Sequence, residues 1–268
     1  MTLNVIFLLL AVLATLGLYL AVPTLSWLWL LPILVGAILG VIILCFAVLF
    51  IISLFFSTKK PIKRQNPFCR FAIWITMDWL MKISRVRVTV KGKELLPQEP
   101  CVLVSNHLSD FDPLTVLAVM PRLKIGYICK DVILRLPLIG PFIYQAGFLP
   151  IDRKNGVRAV RTLQRAAELI KGADMSVGIF PEGTRSRTGE LLRFKTGAFT
   201  LAQEAEVPIV IMVTKGTDLI SKRAPFKRTE VALEIIEVIS KETVAETPVK
   251  ELCESVRQKV EEHLKKQA

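Results

Sequence analysis

The chain has 268 residues, 52% of them hydrophobic, and carries a formal net charge of +12 with a pI near 9.7. With two histidines and five cysteines that form no C-x-x-C pair, it offers little to a zinc site or a disulfide framework, and no bound metal is expected. Nucleic acid is not the partner the charge suggests: nine of the twelve net positive charges lie between Lys59 and Lys93, beside an apolar stretch, where anionic lipid headgroups are nearer.

Residues 1–58 contain no Asp, Glu, Lys or Arg, so all 58 charged residues follow them. Within this part, residues 3–22 and 33–56 are each long enough, as helices, to cross a hydrocarbon core of about 30 Å. Pro23, Thr24, Ser26 and Pro32 supply breakers between them, and Trp27 and Trp29 suit the boundary between water and lipid. The segment therefore reads as a transmembrane helical hairpin. A cleaved signal peptide fits less well, because Met1 to Asn4 carry no basic residue and no small-residue cleavage site precedes the second span.

The next segment, 59–93, is basic: Lys59, Lys60, Lys63, Arg64, Arg70, Lys82, Arg85, Arg87, Lys91 and Lys93 face only Asp78. Such an excess marks the cytoplasmic side, so an integral protein of the cell membrane with a cytoplasmic globular part is expected. There Cys45, Cys69, Cys101, Cys129 and Cys253 would stay reduced and act as small apolar residues. Residues 66–88 place Phe68, Phe71, Ile75, Trp79 and Leu80 among basic residues, which fits a helix lying in the membrane interface and equally a plain buried helix.

Short β-rich runs at 86–90, 101–105, 124–129, 148–151, 176–180, 209–213 and 231–239 alternate with helical patterns. That rhythm predicts an α/β domain with a mostly parallel sheet flanked by helices, taken as residues 94–268. In the helix over 156–171, Val160, Leu163, Ala167 and Ile170 form one stripe, while Arg158, Arg161 and Arg165 lie elsewhere. A last amphipathic helix over 249–266 follows Pro248 and closes the domain, with His263 solvated at its polar end.

Two constellations carry chemistry. The strand at 101–105 runs into Asn106-His107-Leu108-Ser109-Asp110-Phe111-Asp112-Pro113, a polar loop where open α/β sheets bind ligands. The residues leave two readings open. Asp112 before Pro113 is a good helix N-cap, or its carboxylate folds back onto His107 and fixes one imidazole tautomer, freeing the other nitrogen to act as a base. The second constellation, Phe180-Pro181-Glu182-Gly183-Thr184-Arg185-Ser186-Arg187, also follows an apolar strand; it is either a charged turn or a phosphate cradle built on glycine, hydroxyls and a planar guanidinium.

Four blocks occur in order: Asn106-His107-x-x-x-x-Asp112, Gly147-Phe-Leu-Pro-Ile-Asp-Arg153, Phe180-Pro-Glu-Gly-Thr-Arg185 and Val207-Pro-Ile-Val-Ile-Met-Val213. Over about residues 86–239 the chain resembles the glycerolipid acyltransferases, nearest the 1-acylglycerol-3-phosphate acyltransferase branch. The resemblance implies the glycerol-3-phosphate acyltransferase-like fold, with His107 as general base oriented by Asp112. It also implies that Arg153, Glu182, Gly183, Thr184 and Arg185 bind the glycerol phosphate, Glu182 by ordering the loop or by holding a hydroxyl or an arginine. Lys130 and Lys195 match family positions near that phosphate, although surface lysines would look the same.

The implied reaction is direct acyl transfer, without a cofactor, from acyl-CoA or acyl carrier protein to the free hydroxyl of lysophosphatidate, giving phosphatidate. Membrane lipids are the remaining partner expected. Ser105 and Ser109 flank His107, but no Gly-x-Ser-x-Gly elbow is present, so no acyl-enzyme is expected. Glycerol 3-phosphate or a lysophospholipid as acceptor, and a non-catalytic lipid-binding protein on the same fold, are the alternatives; the His107/Asp112 pair argues against the last.

Overall fold

The computed structural model describes residues 3–266 except Pro23, Leu25, Lys59, Asp174 and Arg187. Pro23, Lys59 and Arg187, read above as a breaker, a juxtamembrane cation and the end of the second constellation, thus lie outside the described residues. The chain divides into two compact units, Met1–Ser57 and Thr58–Ala268.

The first unit contains helices α1 (Leu3–Ala21) and α2 (Leu30–Ser53), which touch one another, with a 3-10 turn at Trp27–Trp29 capped by the Ser26 hydroxyl. The stretch Trp27–Ser53 is 27 residues long and apolar enough to cross a membrane; the apolar helix Val5–Ala21 is shorter. Hydroxyls in these helices bond within their own turn, Thr15 Oγ1 to the Ala11 carbonyl at 2.8 Å and Ser53 Oγ to that of Phe50 at 2.6 Å. Side chains such as Leu13, Leu20, Leu31 and Ile43 are exposed, the reverse of a water-soluble fold.

The second unit opens with α3 (Pro67–Ile83). Asn66 caps it, its Oδ1 accepting the N–H of Phe68 at 2.9 Å, and Pro67 supplies a preset φ at the first helical position. Arg85, at φ 55°, then turns the chain into β1 (Val86–Lys91). In β1 half-buried valines alternate with exposed Arg87, Thr89 and Lys91, so the strand joins the sheet through its apolar face and keeps its charges in water. This corrects the expected boundary at residue 94: part of the basic segment is an edge strand of the α/β domain, and the expected helix over 66–88 stops at Ile83.

The remaining elements are β2 (Val102–Ser105), α4 (Phe111–Val119), β3 (Ile125–Lys130), α5 (Asp131–Leu134), α6 (Ile139–Gln145), β4 (Leu149–Ile151), α7 (Gly156–Ala173), β5 (Ser176–Ile179), α8 (Gly197–Ala205), β6 (Ile209–Lys215), α9 (Ile220–Arg223), β7 (Thr229–Ile239), α10 (Lys241–Glu246) and α11 (Val249–Lys266). The strands form one sheet in the order β1-β7-β6-β2-β5-β3-β4. Strands β6, β2, β5, β3 and β4 run parallel, whereas β7 is antiparallel to β6 and parallel to β1.

Val102, Leu103 and Val104 of β2 and Ile209 to Met212 of β6 are buried on both faces, as parallel central strands require. Helices α8 and α11 pack over β2 and β6, and α7 over β4 and β5. The chain leaves β2 towards β3 on one side and later crosses from β5 to β6 on the other. The connections therefore part at the carboxyl end of β2, the switch point at which open α/β sheets bind ligands.

Candidate active site

Because β2, β5, β3 and β4 are parallel, their carboxyl ends share one edge, and each carries a residue singled out in the sequence. His107 follows β2, Pro181 to Arg185 follow β5, Lys130 ends β3 and Arg153 follows β4. Residues up to 78 positions apart in sequence are thereby aligned along that edge.

At the first position, His107 Nδ1 lies 2.7 Å from Asp112 Oδ2. The same oxygen accepts the backbone N–H of Leu108 at 2.7 Å and of Ser109 at 2.9 Å, and Oδ1 accepts the Thr217 hydroxyl. Asp112 is 1% exposed, and a carboxylate so enclosed needs this full set of donors. It is the second residue of α4 and not its cap, a position held by Asp110, while the Ser109 hydroxyl accepts the Phe111 N–H at 3.1 Å. Of the two readings of Asp112, the pair with His107 is the one the geometry contains. An acceptor-only carboxylate also fixes the tautomer: Nδ1 carries the proton, leaving the Nε2 lone pair available.

Asn106 anchors the loop to the neighbouring strand: its Nδ2 donates to the Thr214 carbonyl at 2.9 Å and its Oδ1 accepts the Thr214 N–H at 2.8 Å. Thr214 and Thr217 escaped the sequence reading because they belong to the end of β6 and the turn after it, more than 100 positions away, in no recognisable charged pattern.

Glu182, expected among the substrate ligands, is 4% exposed, and both its oxygens are occupied by the backbone. Oε1 accepts the His107 N–H at 2.7 Å and Oε2 the Leu192 N–H at 3.1 Å, so it ties three loops together. Burial pushes its pKa up, the backbone donors pull it down and the nearby Asp112 adds to the rise. Ser186 N–H completes the tie by donating to the His107 carbonyl at 2.9 Å.

The imidazole is also held by one face. The His107 ring stacks on Phe180 with centroids 4.1 Å apart and planes at 13°, and Phe180 stacks on Tyr127 at 5.7 Å and 12°. Tyr127 in turn lies against Gly178, where an added Cβ would come within 2.2 Å of the phenol ring. The column of three rings exists because β5 has no side chain at that position. Neither Phe180 nor Gly178 shows this role in the sequence, where they read as strand residues.

Gly183 sits at φ 69°, a conformation that favours glycine, and the Lys195 side chain lies over it, with Nζ 3.0 Å from where a Cβ would be. Arg185 pairs with Asp110 on the rim of the histidine loop. Thr184 is exposed between them. Lys130 and Arg153 sit apart from this group, lining a depression of about 880 Å³ that Arg185 and Lys195 do not reach. Among the described residues no metal-binding cluster occurs. Burial pushes the thiols of Cys101 and Cys129 up to about 11 and about 12, which leaves them unsuited to nucleophilic attack.

Residues 87–215 match the family profile described as Acyltransferase. Among curated proteins, the 1-acyl-sn-glycerol-3-phosphate acyltransferase of Saccharomyces cerevisiae is 33% identical over 72% of this chain and 66% of its own length. That of Limnanthes douglasii is 30% identical over 69% of this chain and 67% of its own. The alpha form of Mus musculus is 38% identical over 52% of this chain and 49% of its own. The chain thus spans about half to two thirds of the length of these three relatives. In fold it resembles the crystal structure of the 1-acyl-sn-glycerophosphate acyltransferase PlsC of Thermotoga maritima, with a TM-score of 0.60 and 22% identity over 82% of this chain and 87% of that one.

Proposed function

Since the chain belongs to the acyltransferase family, among relatives that are 1-acyl-sn-glycerol-3-phosphate acyltransferases, we propose that it transfers a fatty acyl group from an acyl thioester to the free hydroxyl of lysophosphatidate, forming phosphatidate. The observation that carries this reading is the buried Asp112 carboxylate on His107 Nδ1 at the end of a parallel strand. A binding module has no use for an imidazole held at both its edge and one face.

In this mechanism Nε2 of His107 takes the proton from the acceptor hydroxyl as its oxygen attacks the thioester carbonyl. The tetrahedral intermediate collapses, the carbon–sulfur bond breaks, and the departing thiolate receives the proton from the imidazolium. Asp112 keeps its charge throughout and stabilises the imidazolium. General-base assistance contributes about 10²–10⁴ in rate, and the rest comes from holding hydroxyl and thioester together. Arg185 and Lys195, beside the histidine loop, are assigned to the acceptor's phosphate with Gly183 and Thr184; Lys130 and Arg153 reach towards it from the neighbouring strand ends.

The apolar first unit would then hold the enzyme where its lipid substrate resides. We assign α1 and α2 to a membrane hairpin with the N-terminus and the α/β unit on the cytoplasmic side, supported by the uncharged stretch and the basic residues that follow it. The whole reading is tested by assaying purified protein in detergent with lysophosphatidate and glycerol 3-phosphate, each against acyl-CoA and acyl carrier protein. Turnover with lysophosphatidate is expected; turnover with glycerol 3-phosphate alone would move the acceptor.

A further inference from the structure

The depression at the ends of β3 and β4 contains more positive charge than one phosphate monoester needs. Five cations line it, Lys130, Arg135, Arg153, Lys154 and Arg158, against the carboxylates of Asp131 and Asp152. They come from four separate places: the end of β3, the residue that follows α5, the loop after β4 and the first turn of α7. Lys130, Arg153 and Lys154 have no ion-pair partner among the described residues. Arg135 pairs with Asp131 and Arg158 with Asp152, the latter at 3.5 Å, with the arginine side chains 77% and 71% exposed. Exposed pairs of this kind are weak and exchange readily for a more highly charged partner.

Position separates this site from the acceptor's phosphate. From β2 to β4 there are three strand steps of about 4.8 Å each, which puts His107 and the β4 end roughly 14 Å apart. In lysophosphatidate only a few bonds separate the reacting hydroxyl from the phosphate, so a molecule with its hydroxyl at His107 keeps its phosphate nearby. Long side chains on β3 and β4 can reach back to it, whereas Arg135, Lys154 and Arg158 belong to the segments that follow those strands. A thioester of coenzyme A has the opposite shape: its sulfur and its nucleotide phosphates lie at the two ends of a pantetheine arm.

Resting on the acyl-transfer reading, we propose that this depression binds the nucleotide phosphates of a coenzyme A thioester, with Arg135, Lys154 and Arg158 as contact residues. The depression is open to solvent, and its volume of about 880 Å³ leaves room for a nucleotide. The donor arm then runs along the sheet edge, past the ends of β3 and β5, to place its carbonyl at His107.

The test uses the full chain in detergent and free coenzyme A as the probe, so that binding is read without any acceptor. Arg135→Ala and the double variant Lys154→Ala/Arg158→Ala should weaken coenzyme A binding by calorimetry about tenfold or more, as loss of charge-assisted contacts implies. The Michaelis constant for acyl-CoA should rise in parallel, while those for lysophosphatidate and for an acyl-pantetheine lacking the nucleotide stay as in the parent. Arg158→Lys in the Lys154→Ala background should recover part of the affinity. Unchanged coenzyme A affinity, a rise confined to lysophosphatidate, or a defect seen only with acyl carrier protein would each overturn the proposal. If the acceptor proves to be another lipid, acyl transfer to lysophosphatidate fails while the coenzyme A result still decides this site.

Discussion

His107 is held at its ring edge by Asp112, on its face by Phe180 and at its backbone by Glu182 and Ser186, and each hold can be removed separately. His107→Ala should abolish transfer in a protein that still folds. Asp112→Asn keeps an oxygen for the Leu108 and Ser109 N–H groups and presents its amide to a Thr217 hydroxyl that can turn to accept. The fold should therefore survive, while turnover falls about 10²-fold or more as the imidazolium loses its counter-charge. Steady-state kinetics beside thermal melting separates the two effects, and an unchanged rate would reduce Asp112 to a structural residue.

Glu182→Gln acts differently, because one of the two backbone N–H groups must then face an amide NH₂. A buried donor left without a partner costs about 1–3 kcal/mol, so a lower melting temperature is expected together with a lower rate. The sign with pH follows from burial. The Glu182 pKa is raised above its ordinary 4.5, so the folded state holds that proton more tightly than the unfolded one. Its contribution to stability must decline as pH rises through the window just above 4.5, and melting curves of Glu182→Gln should lack that slope.

Among the elements, β5 does more than span the core. Gly178 leaves room for Tyr127, Tyr127 supports Phe180, and Phe180 carries the imidazole, so a methyl group added at Gly178 pushes on the whole column. Gly178→Ala should cost about 1–3 kcal/mol from overpacking and lower turnover with little change in either Michaelis constant. Equal stability and rate would show that the column does not orient the base.

The strands were legible in the sequence because β-branched apolar runs in a parallel sheet are short, continuous and bounded by polar loops. The histidine loop and the loop after β5 were legible because their residues cluster within a few positions. Three things were not. The run at 86–90 read as a strand, but the start of the domain did not show, because the alternation in β1 leaves its basic side chains outward and their charge suggested membrane contact. For Glu182 the sequence left open whether it orders the loop or holds a hydroxyl or an arginine, because nothing in it shows the two backbone donors that enclose the carboxylate. Thr217 and Gly178 act through contacts made only after the sheet assembles.

In the chain as a whole, an uncharged helical unit precedes an α/β unit for which we propose a lipid-borne substrate. Single cysteines introduced near Ser26 and, separately, in the α/β unit, in a protein stripped of its native cysteines, should label from opposite sides of intact cells. External labelling in the α/β unit would refute the assigned sidedness. Arg185 lies in the same frame: Arg185→Ala should raise the Michaelis constant for lysophosphatidate about tenfold or more, with Arg185→Lys recovering only part, because an ammonium cannot reproduce the planar fork. A defect confined to the thioester would assign Arg185 to the donor.

The most direct check is single-turnover acyl transfer by the purified full chain, with a radiolabelled acyl thioester and lysophosphatidate, in parent and His107→Ala protein side by side. Phosphatidate should form in the parent, with no labelled protein intermediate, and formation should fall at least about 10²-fold in a folded variant. Near-normal phosphatidate formation without His107, or an acyl-enzyme that accumulates before the product, would contradict direct transfer by a histidine base.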